Sequence, residues 1–142
     1  MSAFGYNQDA GTVVVEFDSF LSSPSYSMFA LSDGTGNNRI HSVNDIYHLY
    51  VTDGGVAQAS LTSGSYTANV VSKFAGSFKK DSFAAILDQN SFASDTSGSV
   101  PVVSDLRIGR GPASGGQLNG HIKSIKYYPR RLTNTQLQEL TA

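Results

Sequence analysis

The chain of 142 residues has no cysteine and no tryptophan, and only two methionines and four prolines. Without cysteine there is no disulfide framework, no thiolate nucleophile and no thiolate metal ligand. Charge is scarce too. Only 15% of residues are charged and the formal net charge is −1, which removes the electrostatic case for nucleic acid or an anionic membrane surface. No apolar run is long enough to span a bilayer, and residues 1–7 lack a basic stretch followed by an apolar one. Neither membrane insertion nor a Sec-type export signal is therefore expected. Glutamate is nearly missing as well, with only Glu16 and Glu139.

What is present is a turn-rich, strand-forming composition. Glycine, serine, threonine, asparagine and aspartate are abundant, and they separate short hydrophobic runs. Residues 11–18 alternate, with Val13, Val15 and Phe17 on one face and Val14, Glu16 and Asp18 on the other. Further strands are expected at 28–32, 39–43, 46–52, 56–62, 69–75, 83–88, around Phe92, and at Leu106 and Ile108. Asp53, Gly54 and Gly55 join two of them as a hairpin turn. Tyr47, Leu49 and Val51 should share one face of the first hairpin strand, and Ile46, His48 and Tyr50 the other. Residues 32–38, 76–81, 94–101 and 109–116 read as loops. About ten short strands and one helix signal predict an all-β sandwich of two antiparallel sheets. Residues 1–142 are expected to form a single domain, which could be a module of a longer protein.

The helix signal closes the chain. Within 118–142, Ile122, Ile125, Tyr127 and Tyr128 suit a pleated strand, but Ile122 and Ile125 are an odd number of positions apart. Either both faces are partly buried or a bulge re-aims the chain between them. Pro129 ends the strand because it has no N–H for the ladder. Thr133 and Gln136 fit a capping box, and Leu132 with Leu137 a hydrophobic staple. Leu137 and Leu140 share the face on which so short a helix must lean.

Catalytic patterns are thin. Glu16 and Asp18 alternate on one strand face, as the carboxylates of some glycosidases do, but the position of a third acid holds Phe20 or Leu21. His41, His48 and His121 show no metal-ligand spacing, and no G-x-S-x-G marks a nucleophilic serine. Gly34-Thr35-Gly36 and Gly109-Arg110-Gly111 fall short of a dinucleotide-binding pattern. The loops 32–38 and 94–98 repeat a Ser-Asp-Thr/Gly theme. Asp33 and Asp95 are hard oxygen donors of the kind calcium takes, and also ordinary turn formers. Tyrosines beside hydrogen-bonding side chains suit a sugar, and Asn38, Arg39, Tyr47 and Tyr50 are the residues selected for it.

Three segments, 31–40 (LSDGTGNNRI), 94–111 (SDTSGSVP with LRIGRG) and 118–142 (GHIKSIKYYPRRLTN-x-QL), carry a resemblance. They resemble laminin G-like domains of the concanavalin A-like lectin/glucanase superfamily, in the version found in tail and other virion proteins of tailed bacteriophages. The resemblance implies a jelly-roll sandwich with its first and last strands adjacent. It implies a non-catalytic virion module, made in the bacterial cytoplasm, that binds a host-surface glycan or receptor; with the net charge near zero, such a glycan is expected to be uncharged or mildly acidic. Its partners would be other virion proteins and copies of itself, with calcium as the one implied ion. A purely structural decoration or oligomerisation domain is the alternative, and a glycoside hydrolase is a third reading that the missing acid disfavours.

Overall fold

A computed structural model describes residues 5–21, 27–43, 47–112 and 116–142, with Tyr47 described by its backbone alone. Ten strands and one helix occur among the described residues. The strands are β1 (Ala10–Ser19), β2 (Phe29–Ser32), β3 (Arg39–Val43), β4 (Tyr47–Asp53), β5 (Val56–Leu61), β6 (Ser72–Lys79), β7 (Phe83–Leu87), β8 (Ala93–Asp95), β9 (Asp105–Ile108) and β10 (Gly120–Tyr128). The helix is α1 (Asn134–Leu140). The strands form two antiparallel five-stranded sheets, in the orders β10-β1-β6-β7-β8 and β5-β4-β3-β2-β9. The architecture is the expected all-β sandwich, with the first and last strands hydrogen-bonded side by side.

The core between the sheets follows from alternation. Val13, Val15 and Phe17 of β1 face Phe29, Leu31, Ile40, Leu49 and Val51 of the other sheet. In β10 the register passes from Glu16↔Ser124 to Phe17↔Ile122, so Lys123 is an extra residue. That bulge turns both Ile122 and Ile125 onto the core, which resolves their odd spacing.

A second, smaller core lies on the outer face of the β10-β1-β6-β7-β8 sheet. Val14, Ala75, Ala84 and Ile86 meet Leu132 and Leu137 of the closing segment. The helix is held there by its capping box. Thr133 Oγ1 accepts from Gln136 N–H at 3.2 Å, and Gln136 Oε1 accepts from Thr133 N–H at 3.0 Å. Leu132 and Leu137, the expected staple, are both buried. This sheet is hereafter the helix-covered sheet, and β5-β4-β3-β2-β9 the open sheet.

Three local expectations are corrected. Residues 76–81 are not a loop, because β6 runs on to Lys79. A Cβ on Gly76 would lie 2.6 Å from the Phe74 ring and 3.1 Å from Leu49, so the glycine there relieves crowding inside the strand and marks no turn. The actual turn is 80–82, where Asp81 takes a positive φ of 56°. Asp95, expected in a loop, ends the short strand β8. Finally, His48 does not share a face with Tyr50. The β3–β4 register passes from His41↔Tyr50 to Val43↔Tyr47, and the irregularity turns both His48 and Leu49 inward. By contrast the hairpin turn is as expected: Gly54 and Gly55 both have positive φ, as a type I′ turn requires.

Candidate functional site

With α1 over one sheet, the outer face of the open sheet is the broad strand surface left without a helix among the described residues. Register arranges its outward side chains in two rows across all five strands. One row is Arg107, Ala30, His41, Tyr50 and Ser60. The other is Asp105, Ser32, Arg39, Thr52 and Ala57. Small side chains, Ala30, Ser32 and Thr52, are buried in the middle. Larger ones, Arg39, Tyr50 and Arg107, are half-buried around them, leaving a floor with walls.

Arg39 lies on β3, the central strand. Its guanidinium sits over the Tyr50 ring, 5.3 Å from the centroid, within cation–π range. Its Nε donates to Thr52 Oγ1 at 3.4 Å. The His41 ring meets Tyr50 edge-on at 5.6 Å. Arg107 Nη1 donates to the Pro112 carbonyl. His41 is 5% exposed. Burial, helped by the Arg39 charge, lowers its pKa to about 3, so the ring is neutral at physiological pH. Its Nδ1 lies 3.5 Å from Ser27 Oγ, and its Nε2 has no hydrogen-bond partner among the described residues.

Of the four residues selected for a sugar, two meet here: Arg39 and Tyr50 stack. Tyr47 pairs with Val43 on the same sheet, and its side chain lies outside the described residues. Asn38 is engaged within the scaffold. It donates to Asp33 Oδ2 at 2.8 Å and accepts from Gly54 N–H at 2.9 Å, tying the β2–β3 loop to the hairpin turn. Asp33 Oδ1 also accepts from the Thr35 N–H and hydroxyl. These bonds, those from Thr35 first and then Asn38, hold its carboxyl below the usual range. Asp95 caps its own turn, accepting from Ser97 N–H and Oγ at 3.0 Å. Among the described residues no group of three or more His, Cys, Asp or Glu gathers around a common point. Asp33 and Asp95, the residues singled out for calcium, each accept hydrogen bonds within their own turn.

Glu16 and Asp18 project from the helix-covered sheet, opposite Lys73 and His121 of the neighbouring strands. Asp18 Oδ1 contacts His121 Nδ1 at 2.9 Å. Sequence spacing alone could not find this pair, because the partners are 103 residues apart and meet only through β1–β10 pairing.

No protein-family profile matches the chain, and no curated protein sequence does. Solved structures do match in fold. Domain 4 of AbnA, an extracellular GH43 arabinanase from Geobacillus stearothermophilus solved with arabinotriose, superposes with a TM-score of 0.78 at 13% identity, covering 97% of this chain and 69% of that one. The CBM40 of the Ruminococcus gnavus IT-sialidase, bound to α2,3-sialyllactose, gives 0.76 at 15%, covering 96% and 84%. NanB sialidase from Streptococcus pneumoniae gives 0.67 at 14%, and there this chain spans 24% of the enzyme. At such identities the likeness establishes a shared β-sandwich fold.

Proposed function

We propose that the chain is a non-catalytic carbohydrate-binding module that holds a glycan on the outward face of its open sheet. The observation that carries this is the stacked Arg39–Tyr50 pair on the strands at the middle of that face. A tyrosine ring offers an apolar face to the C–H side of a sugar, and a guanidinium offers a fork of donors to its oxygens. The fold neighbours add support: among them are an arabinanase domain in complex with arabinotriose and a sialidase CBM40 bound to sialyllactose.

The finer setting rests on the resemblance of 31–40, 94–111 and 118–142 to laminin G-like virion modules. In that setting the domain sits on the surface of a tailed-phage particle, as a homo-oligomer beside other virion proteins, and meets a host-surface glycan or receptor. A structural or oligomerisation role is favoured by one observation of its own. Phe20, Leu21, Val70 and Val71 are each at least 40% exposed, and Asn69 N–H donates to the Ser19 carbonyl, bringing their segments together at one end of the sandwich.

A glycan array probed with the wild-type domain, Tyr50→Ala and Glu139→Gln separates these roles. The expected result is competable hits that Tyr50→Ala loses and Glu139→Gln, on the helix-covered side, keeps, with all three proteins equally folded. An absence of competable hits for the wild type would leave the structural role standing in place of the binding one.

A further inference from the structure

We infer that the sugar held on the open sheet carries a carboxylate, and that Arg39 is the residue that receives it; this rests on the glycan-binding reading above. Arg39 is a half-buried cation without an ion pair among the described residues. Nearby acids are accounted for otherwise. Both oxygens of Asp33 accept from Thr35 and Asn38. Asp53, next to Thr52, accepts from Ser99 Oγ. Asp105 shares Arg39's row but stands two strands away, about 10 Å across the sheet.

The guanidinium is also oriented. Nε is directed at Thr52 Oγ1 and Cζ lies over the Tyr50 ring, so part of the side-chain freedom is already spent before binding. A planar, pre-oriented fork is matched by a carboxylate, which accepts two parallel N–H bonds. A neutral sugar needs no such cation, and desolvating one without an anion costs free energy. A second, independent feature lies alongside: His41, on the same strand and in contact with Tyr50, keeps one buried ring nitrogen without a partner among the described residues. A ligand oxygen reaching the floor of the site has a polar group to meet there.

With Asp105 in the same row and a net charge near zero, long-range attraction is weak, and selection is made at the contact. That refines the expectation of an uncharged or mildly acidic glycan: the whole-chain charge is near zero, yet the site asks for one carboxylate.

The test uses the intact domain and matched pairs of glycans, each ending in a uronic or nonulosonic acid or in the same sugar with its carboxyl reduced to an alcohol. Wild type should prefer the acidic member, and Arg39→Gln should lose about 10- to 100-fold on it with little change on the reduced one. Arg39→Lys should recover only part, since it restores charge without the fork. A thermal melt of each variant excludes misfolding as the cause. Equal binding of both members, weakened equally by Arg39→Gln, would overturn the carboxylate and leave glycan binding intact. Binding of neither member would remove the glycan reading itself, and the carboxylate with it.

Discussion

His41 and His48 show what a single buried ring does. Both are almost fully enclosed, 5% and 1% exposed. His48 Nδ1 accepts from Ser63 N–H at 2.8 Å, which leaves the proton of its neutral form on Nε2. Burial lowers both pKa values, that of His41 to about 3. An unfolded histidine takes a proton near its ordinary value of about 6.5, whereas the folded His41 does not until about 3. Between those limits the unfolded chain binds more protons, so the fold is fully stabilised above the ordinary value and loses stability as pH falls. One such group contributes a slope of about 1.4 kcal/mol per pH unit. The melting temperature should therefore drop steadily from neutral to mildly acidic pH, and more gently in His41→Gln. An unchanged slope in that variant would show that His41 is already charged in the native state. None of this was visible in the sequence, where His48 falls on the same alternating face as Tyr50. The β3–β4 irregularity sends it inward, and its location depends on pairing with residues that the local pattern does not contain.

At the level of elements, local chemistry was legible and long-range pairing was not. The capping box is specified within a few residues and is present; the turn at Asp53 and the odd spacing of Ile122 and Ile125 were each legible with two local solutions, and the structure takes the primed turn and the bulge. The open-sheet site is specified by register across five strands, so Arg39 and Tyr50 could be chosen as residue types but not as a stacked pair. Gly76 misled for a related reason: its need is set by Phe74 and Leu49, not by a turn. The helix offers two checks. Removing the cap by Thr133→Ala should cost about 0.5–2 kcal/mol in chemical denaturation. Asn134→Ala, one position inside, should cost much less, since no capping bond runs through it. Leu137→Ala removes a fully buried side chain from the second core. The expected loss is about 2–5 kcal/mol, a large part of the margin of a typical domain. A Leu137→Ala protein as stable as wild type would mean that α1 merely rests on the sheet.

For the whole molecule, the division into a helix-covered sheet and an open one bears on the strength expected of the proposed glycan binding. The open face offers one stacked arginine–tyrosine pair and a few polar neighbours on a shallow floor. Each sugar hydroxyl must give up water to make its bond, so much of the contact energy is offset by desolvation, and one domain should bind weakly. An array of copies, as on a particle surface, escapes this limit. Once one copy is engaged, the next meets its ligand at the effective concentration set by the tether, and avidity gains of about 10²–10⁴ follow without any new contact. The domain fused to a multimerising scaffold should accordingly retain on glycan-coated surfaces from which the isolated domain washes off. Tyr50→Ala in the same scaffold should abolish that retention, because multiplying a lost contact restores nothing. Retention that survives Tyr50→Ala would place the adhesive surface elsewhere, with the exposed end formed by Phe20, Leu21, Val70 and Val71 the first region to test.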